Sequence, residues 1–218
     1  MVDYNKFAKT FAQSRRNMKW QEMEYFLNIL NFNNENRILD IWCGSWRFLW
    51  ELKNIYSNTI TEKNYVWADL SSGLLEEAHK DYPGYSFHEL NMLDIDKLES
   101  KFTDIFFYAS FHHLQNYDDR KTVLQKSFDL LDKGGKIYMT NWALNSELNK
   151  KRYSKALIEN SENKFWSLDF NIQLWWHDRY YHCFSILELE TLAVDCGFKI
   201  IENKLFENDR NFITILEK

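Results

Sequence analysis

The chain has 218 residues, of which 45% are hydrophobic and 27% charged, with a formal net charge of −5. That is room for one α/β domain with a large core; the acidic balance gives no global drive toward nucleic acid, so any RNA contact needs a local basic surface or a partner. No apolar run is long enough to span a membrane, the opening Met1-Val2-Asp3-Tyr4-Asn5-Lys6 has no signal-peptide core, and three cysteines (Cys43, Cys183, Cys196) without Cys-x-x-Cys spacing argue against zinc or disulfides and for a reducing cytoplasm.

Apolar residues at helical spacing over 5–32 (Phe7, Phe11, Met23, Phe26, Leu27, Leu30) predict two N-terminal helices, with the N-terminal unit ending near residue 35. Strands are expected at 37–42, 65–70, 85–90, 104–110, 136–141, 199–206 and 212–217. Helices are expected at 46–55, 72–81, 119–131 and 185–195. Ser185-Ile186-Leu187-Glu188 reads as a capping box, and Gly197 as the glycine just past the same helix. The early strands are continuous apolar runs, as strands covered on both faces are. Alternating strands and helices imply a parallel, doubly wound sheet with right-handed crossovers. The last two strands are separated only by 207–211 and imply an antiparallel hairpin at the sheet's end. Residues 143–184 lack clear periodicity and read as an insertion over the active site of one domain covering 1–218.

Arg37-Ile38-Leu39-Asp40-Ile41-Trp42-Cys43-Gly44-Ser45-Trp46-Arg47 is a strand running into a turn and a helix. It resembles motif I of class I S-adenosylmethionine (SAM) methyltransferases, hydrophobic-Leu-Asp-hydrophobic-Gly-Cys-Gly-Ser/Thr-Gly-Arg. Trp42 and Trp46 stand at the outer two glycines, where the family needs φ > 0 and close approach to the cofactor. Tyr65-Val66-Trp67-Ala68-Asp69-Leu70-Ser71 resembles the family's second strand, with Trp67 in a further glycine place. Nine Trp and six Gly in the whole chain fit UGA codons that mean glycine being read as tryptophan. The other reading is three genuine tryptophans and a degenerate cofactor site. Trp142 lies where the family also has tryptophan.

The resemblance implies a Rossmann-like seven-stranded sheet, mostly parallel with a C-terminal antiparallel hairpin, and SAM as the cofactor. It implies a cofactor site of Asp40, Trp42, Cys43, Gly44 and Ser45 after the first strand, Asp69 and Leu70 after the second, Asn91 and Met92 after the third, and Ser110 beside the transferred methyl. Asp69 would accept both ribose hydroxyls; a turn acid is its structural alternative. Asn91 would accept from the adenine amino group through its amide oxygen. Met92 would pack on the adenine or belong to the core. His112 and His113, next in the chain, point apart without a ligand-spaced acid or cysteine. They read as hydrogen-bonded structure or pocket wall rather than as metal ligands.

Thr140-Asn141-Trp142-Ala143-Leu144 and Arg179-Tyr180-Tyr181-His182-Cys183-Phe184 look like the tRNA wobble-uridine carboxymethyl methyltransferases. That resemblance implies tRNA as acceptor and a small activating subunit as a further partner. An ionised carboxylate acceptor needs positioning more than a general base. Arg179 offers it a bidentate fork, His182 a second hydrogen bond, and Tyr180 or Tyr181 a stacking face. A packed aromatic lid with Arg179 in an ion pair is the structural alternative. A small-molecule acceptor and an inactive SAM-fold binding protein are the competing functional readings.

Overall fold

The computed structural model describes residues 4–15, 20–42, 44, 46–159, 163–174 and 177–218. In chain order the elements are α1 (Ala8–Arg15), α2 (Gln21–Ile29), β1 (Ile38–Ile41), α3 (Arg47–Ile55), β2 (Tyr65–Asp69), α4 (Ser72–Asp81), β3 (Ser86–Glu89), β4 (Phe102–Tyr108) and α5 (Tyr117–Leu130). They continue with β5 (Leu131–Trp142), α6 (Lys150–Tyr153), β6 (Leu168–Leu174), β7 (His177–Cys183), α7 (Ile186–Asp195), β8 (Lys199–Leu205) and β9 (Asn211–Glu217). Seven strands form one sheet in the order β3-β2-β1-β4-β5-β9-β8. The first five are parallel, and β9 pairs antiparallel with both β5 and β8. The Rossmann-like arrangement expected from the sequence is the one observed.

The pleat divides the core. In β4, Ile105 and Phe107 join α5 and α7 residues such as Val123, Leu124, Leu189 and Leu192 on one face. Phe106 and Tyr108 join α2 and α3 residues such as Phe26, Phe48, Leu49 and Leu52 on the other. This is the period-2 alternation of a strand covered by helices on both sides. Helix ends follow the local chemistry. The Ser185 hydroxyl accepts from the Glu188 N–H at the start of α7, and Gly197 takes φ +86° just past its end. Ser71 caps α4 in the same way.

The insertion is more ordered than its sequence announces. β6 and β7 pair antiparallel from Leu168↔Cys183 to Leu174↔His177 as a separate two-stranded sheet. Leu168-Asp169-Phe170-Asn171-Ile172-Gln173 does alternate, but β7 is polar and aromatic throughout, which hides the pairing. The hairpin buries Phe170, Tyr181 and Cys183 with Leu144 in a small cluster of its own. No helix among the described residues is long and apolar enough to cross a membrane.

Candidate functional site

The sheet reverses strand order between β1 and β4, and ligands of open α/β sheets bind outside the carboxyl ends of strands at such a point. A cleft of about 1430 Å³ opens there. Its floor includes Asp40, Trp42, Gly44, Asp69, Leu70 and Ser110, and its roof includes Tyr4, Phe11, Ile172, Arg179 and Tyr181. The N-terminal segment is tied across it: the Asn5 amide oxygen accepts from the Ser71 hydroxyl and the Gly73 N–H, and Phe7 stacks on His177 of the hairpin.

Residues 42, 44 and 46 all have left-handed backbone, with φ of 56°, 58° and 39°. The turn thus puts three residues in the region that glycine enters without penalty. The Asp69 carboxylate closes this turn, accepting from the Gly44 N–H at 3.2 Å and the Ser71 N–H at 2.8 Å. Burial pushes its pKa up to about 6, against the pull of those hydrogen bonds and of Arg179. Asp40 is fully buried and pushed to about 7 by burial, although the Tyr65 hydroxyl donates to it at 2.8 Å. Its other oxygen is buried without a partner, as is the Ser110 hydroxyl. Two carboxyls held uncomfortably out of water, one with an open acceptor, suit a cationic ligand with hydroxyl and ammonium donors. The residues present therefore fit SAM in charge. The Trp42 side chain fits it poorly: it lines the cleft with its indole N–H buried and unpartnered.

Other expected cofactor residues sit differently. Cys43 and Ser45 lie outside the described residues. Asn91 is outside the cleft lining, and its amide oxygen accepts from the Leu93 N–H. Met92 is fully buried in the core cluster against which Trp42 packs.

On the roof, the Arg179 guanidinium lies over the rings of Tyr4 (5.0 Å) and Tyr181 (5.3 Å) and donates to the Tyr181 hydroxyl at 3.3 Å. Among the described residues no carboxylate is within ion-pair distance of it, so the structural ion pair weighed from sequence is not formed. Tyr181 stacks on Trp142 with centroids 4.9 Å apart and meets both His112 and His113. The His112 Nδ1 accepts from the Trp142 N–H, while His113 Nδ1–H donates to the Tyr180 carbonyl. Burial, and then the Arg179 charge, hold both imidazoles well below their usual pKa. Both line the cleft as neutral rings.

The structure does not bring His182 to the cleft. Its Nδ1 is 2.6 Å from Asp169 and its Nε2 is 2.9 Å from Glu188. Glu188 also pairs with Arg120 at 3.2 Å, and the Tyr180 hydroxyl donates to Asp169 at 2.6 Å. Burial is the largest influence and pushes both carboxyls up, but the hydrogen bonds from His182 and their other donors, together with the His182 and Arg120 charges, hold them below the usual range. This buried chain bolts the hairpin to α5 and α7. With both nitrogens engaged, His182 has none left for an acceptor, and Tyr180 is likewise bound to the bolt.

The sequence reading passed over one feature. Lys150-Lys151-Arg152-Tyr153-Ser154-Lys155 carries four cations in six residues, a run visible in the chain. These cations are exposed, and Arg152, Tyr153 and Arg210 line the cleft mouth. Arg152 and Arg210 form no ion pair among the described residues.

Comparison with known proteins gives a class. Residues 38–135 match the model of a methyltransferase domain. A SAM-dependent methyltransferase from Methanosarcina mazei superposes with TM-score 0.64 at 21% identity, over 89% of this chain and 96% of that one. One from Clostridium acetobutylicum gives 0.68 at 16%, over 98% of each. The Burkholderia thailandensis 1,6-didemethyltoxoflavin-N1-methyltransferase, solved with S-adenosylhomocysteine bound, gives 0.64 at 14%, over 98% and 85%. No curated protein matches the chain in sequence. Residues 38–135 thus match a methyltransferase domain, and the chain has the fold of the SAM-dependent methyltransferases on which it superposes.

Proposed function

We propose that the enzyme methylates a carboxylate, that of 5-carboxymethyluridine at the tRNA wobble position, in keeping with the resemblance of its Arg179–Phe184 string. The observation that carries this reading is Arg179: a cleft-lining guanidinium backed by two tyrosine rings and paired with no carboxylate among the described residues. A planar fork held by aromatic groups, with no carboxylate neutralising it among the described residues, is a receptor for a planar anion.

The role assigned to each residue follows from its surroundings. SAM, when bound, supplies an electrophilic methyl on a positively charged sulfur. Asp69 would hold the ribose hydroxyls, Asp40 the cofactor's donors, and the Gly44 turn its backbone-facing side. Arg179 would take one carboxylate oxygen and leave the other free to attack. A C–O bond forms, the S–CH₃ bond breaks with its electron pair going to sulfur, and no proton moves. That balance agrees with a wall whose imidazoles are neutral and whose Ser110 has no base beside it. Tyr181, Trp142 and the tied-down N-terminal segment exclude water and offer ring faces to a base. Cys43 and Ser45 keep the cofactor role that the resemblance of their motif implies.

The basic run 150–155 at the mouth favours a nucleic-acid acceptor on a chain whose net charge is −5. A small activating subunit remains part of the proposal. A small-molecule carboxylate is the second reading, favoured by the acidic balance. The test uses the Trp42→Gly/Trp46→Gly protein with labelled SAM and tRNA bearing carboxymethyluridine, with and without a candidate activating subunit. Label entering tRNA supports the first reading. Label that enters only a small carboxylate replaces it with the second.

A further inference from the structure

Among the described residues, five that are not glycine have positive φ: Trp42, Trp46, Ala109, Trp166 and Asp209. Three of the five are tryptophan. The Cβ of any of them crowds the carbonyl that follows; aspartate is among the residues that tolerate this conformation, whereas a bulky aromatic there is an outlier. Chance does not readily gather one bulky residue type at left-handed positions in a chain that has nine Trp and six Gly.

The surroundings of the three differ, and what they share is the left-handed backbone. Trp42 lines the cleft and leaves a buried N–H without a partner. Trp46 sits at the start of α3 with φ 39° and gives no side-chain cap, although its ring is buried in the cluster of Phe26, Phe48 and Leu52. Trp166 lies far along the chain, in the turn Asn163–Ser167. There its N–H donates to the Asn163 carbonyl at 2.9 Å, the Asn163 side chain accepts from Phe165 and Ser167, and its own ring is 65% exposed. That turn is a well-bonded left-handed turn, the kind glycine makes. Trp67 is the contrast. It is an extended strand residue packed between Tyr82, Tyr85 and Phe87, and nothing in its backbone calls for glycine.

We infer that positions 42, 46 and 166 are glycine in the working protein, encoded by UGA codons that its source reads as glycine. Position 166 has no part in the cofactor motif, so the backbone extends the assignment beyond what motif resemblance reaches. Glycine at 42 removes an indole from the cleft floor and gives the SAM site its room. The inference concerns the cofactor side and stands whichever acceptor is right.

The coding DNA decides it directly. UGA at codons 42, 46 and 166 is expected, with glycine in the corresponding peptides of the protein isolated from its source; UGG at any of the three overturns the inference. The protein itself gives an independent measurement. Trp42→Gly/Trp46→Gly should bind SAM by calorimetry where the tryptophan form shows no detectable binding. Trp166→Gly, outside the cleft, should raise Tm while leaving SAM binding unchanged. Equal SAM affinity in both forms, or a lower Tm for Trp166→Gly, overturns it. Failure to methylate tRNA bears on the acceptor alone.

Discussion

The floor and the roof of the cleft are built on different principles. The floor is a backbone device: three alternate positions, 42, 44 and 46, in left-handed conformation, closed by Asp69 through main-chain N–H groups. The roof is a side-chain device. Arg179 and Tyr181 are aimed from a hairpin whose position depends on the Arg120–Glu188–His182–Asp169 chain beneath it. A backbone device tolerates few residue types at few positions and so leaves a motif in the sequence. A side-chain device distributes its requirement over elements far apart in the chain and leaves almost none.

The largest effect should come from cutting the roof's bolt. Glu188→Ala leaves Arg120 and His182 charged or polar in the interior without their common partner. Breaking a buried pair from one side costs about 3–5 kcal/mol, which urea unfolding measures. Asp69→Asn, on the floor, should cost much less stability. If Glu188→Ala loses under about 1 kcal/mol, the network is not what holds the hairpin.

Next in size is the roof's contact with the acceptor. Arg179→Ala should lower methyl-transfer kcat/KM by about 10²–10³-fold, the range for losing one preorganised donor, with SAM affinity nearly unchanged. Arg179→Lys should recover part of it, since a point charge lacks the fork. Steady-state kinetics with tRNA, set beside SAM calorimetry, separates the two. An equal loss of both would move Arg179 from the acceptor to the cofactor.

The floor should respond in the opposite sense. Asp69→Ala in the Trp42→Gly/Trp46→Gly protein should weaken SAM by about 1.5–3 kcal/mol for each charge-assisted hydrogen bond removed. Calorimetry showing unchanged affinity would return Asp69 to the role of turn acid.

The same contrast explains what the sequence disclosed. The sheet, its helices and its antiparallel end were legible because continuous apolar strands and helical spacing are local signals, and Ser185 and Gly197 mark one helix at both ends. Asp40, Gly44, Asp69 and Ser110 were legible because the floor is a motif. His182 was misplaced because nothing local shows that Asp169, thirteen residues before it, and Glu188, six after it, both reach its ring. The β6–β7 pairing escaped because β7 combines the roof's aromatic and polar groups on both faces. Arg152 and Arg210 meet at the cleft mouth only through the fold, although the Lys150–Lys155 run was there to be counted.

The smallest expected effect is a pH dependence that also tests how floor and roof communicate. In the free protein Asp69 has a pKa of about 6 because burial disfavours its charge, with Arg179 on the roof opposing that rise. Ribose hydroxyls donate to the carboxylate, so the charged form is the one that binds. Above pH 6 the group is already ionised and SAM affinity should be flat on its account. Below pH 6 a proton must leave before SAM can enter, and affinity should fall by up to about tenfold per pH unit, equivalent to about 1.4 kcal/mol. Asp40, held at about 7, adds a shallower decline that begins one unit higher. SAM binding at pH 6 should therefore release protons, which calorimetry in buffers of different ionisation enthalpy detects. Arg179→Ala removes the opposing charge, so the Asp69 midpoint should move upward. An affinity that is unchanged between pH 7 and pH 5 would show that neither carboxyl titrates against SAM, and a midpoint that stays put in Arg179→Ala would show that floor and roof act independently.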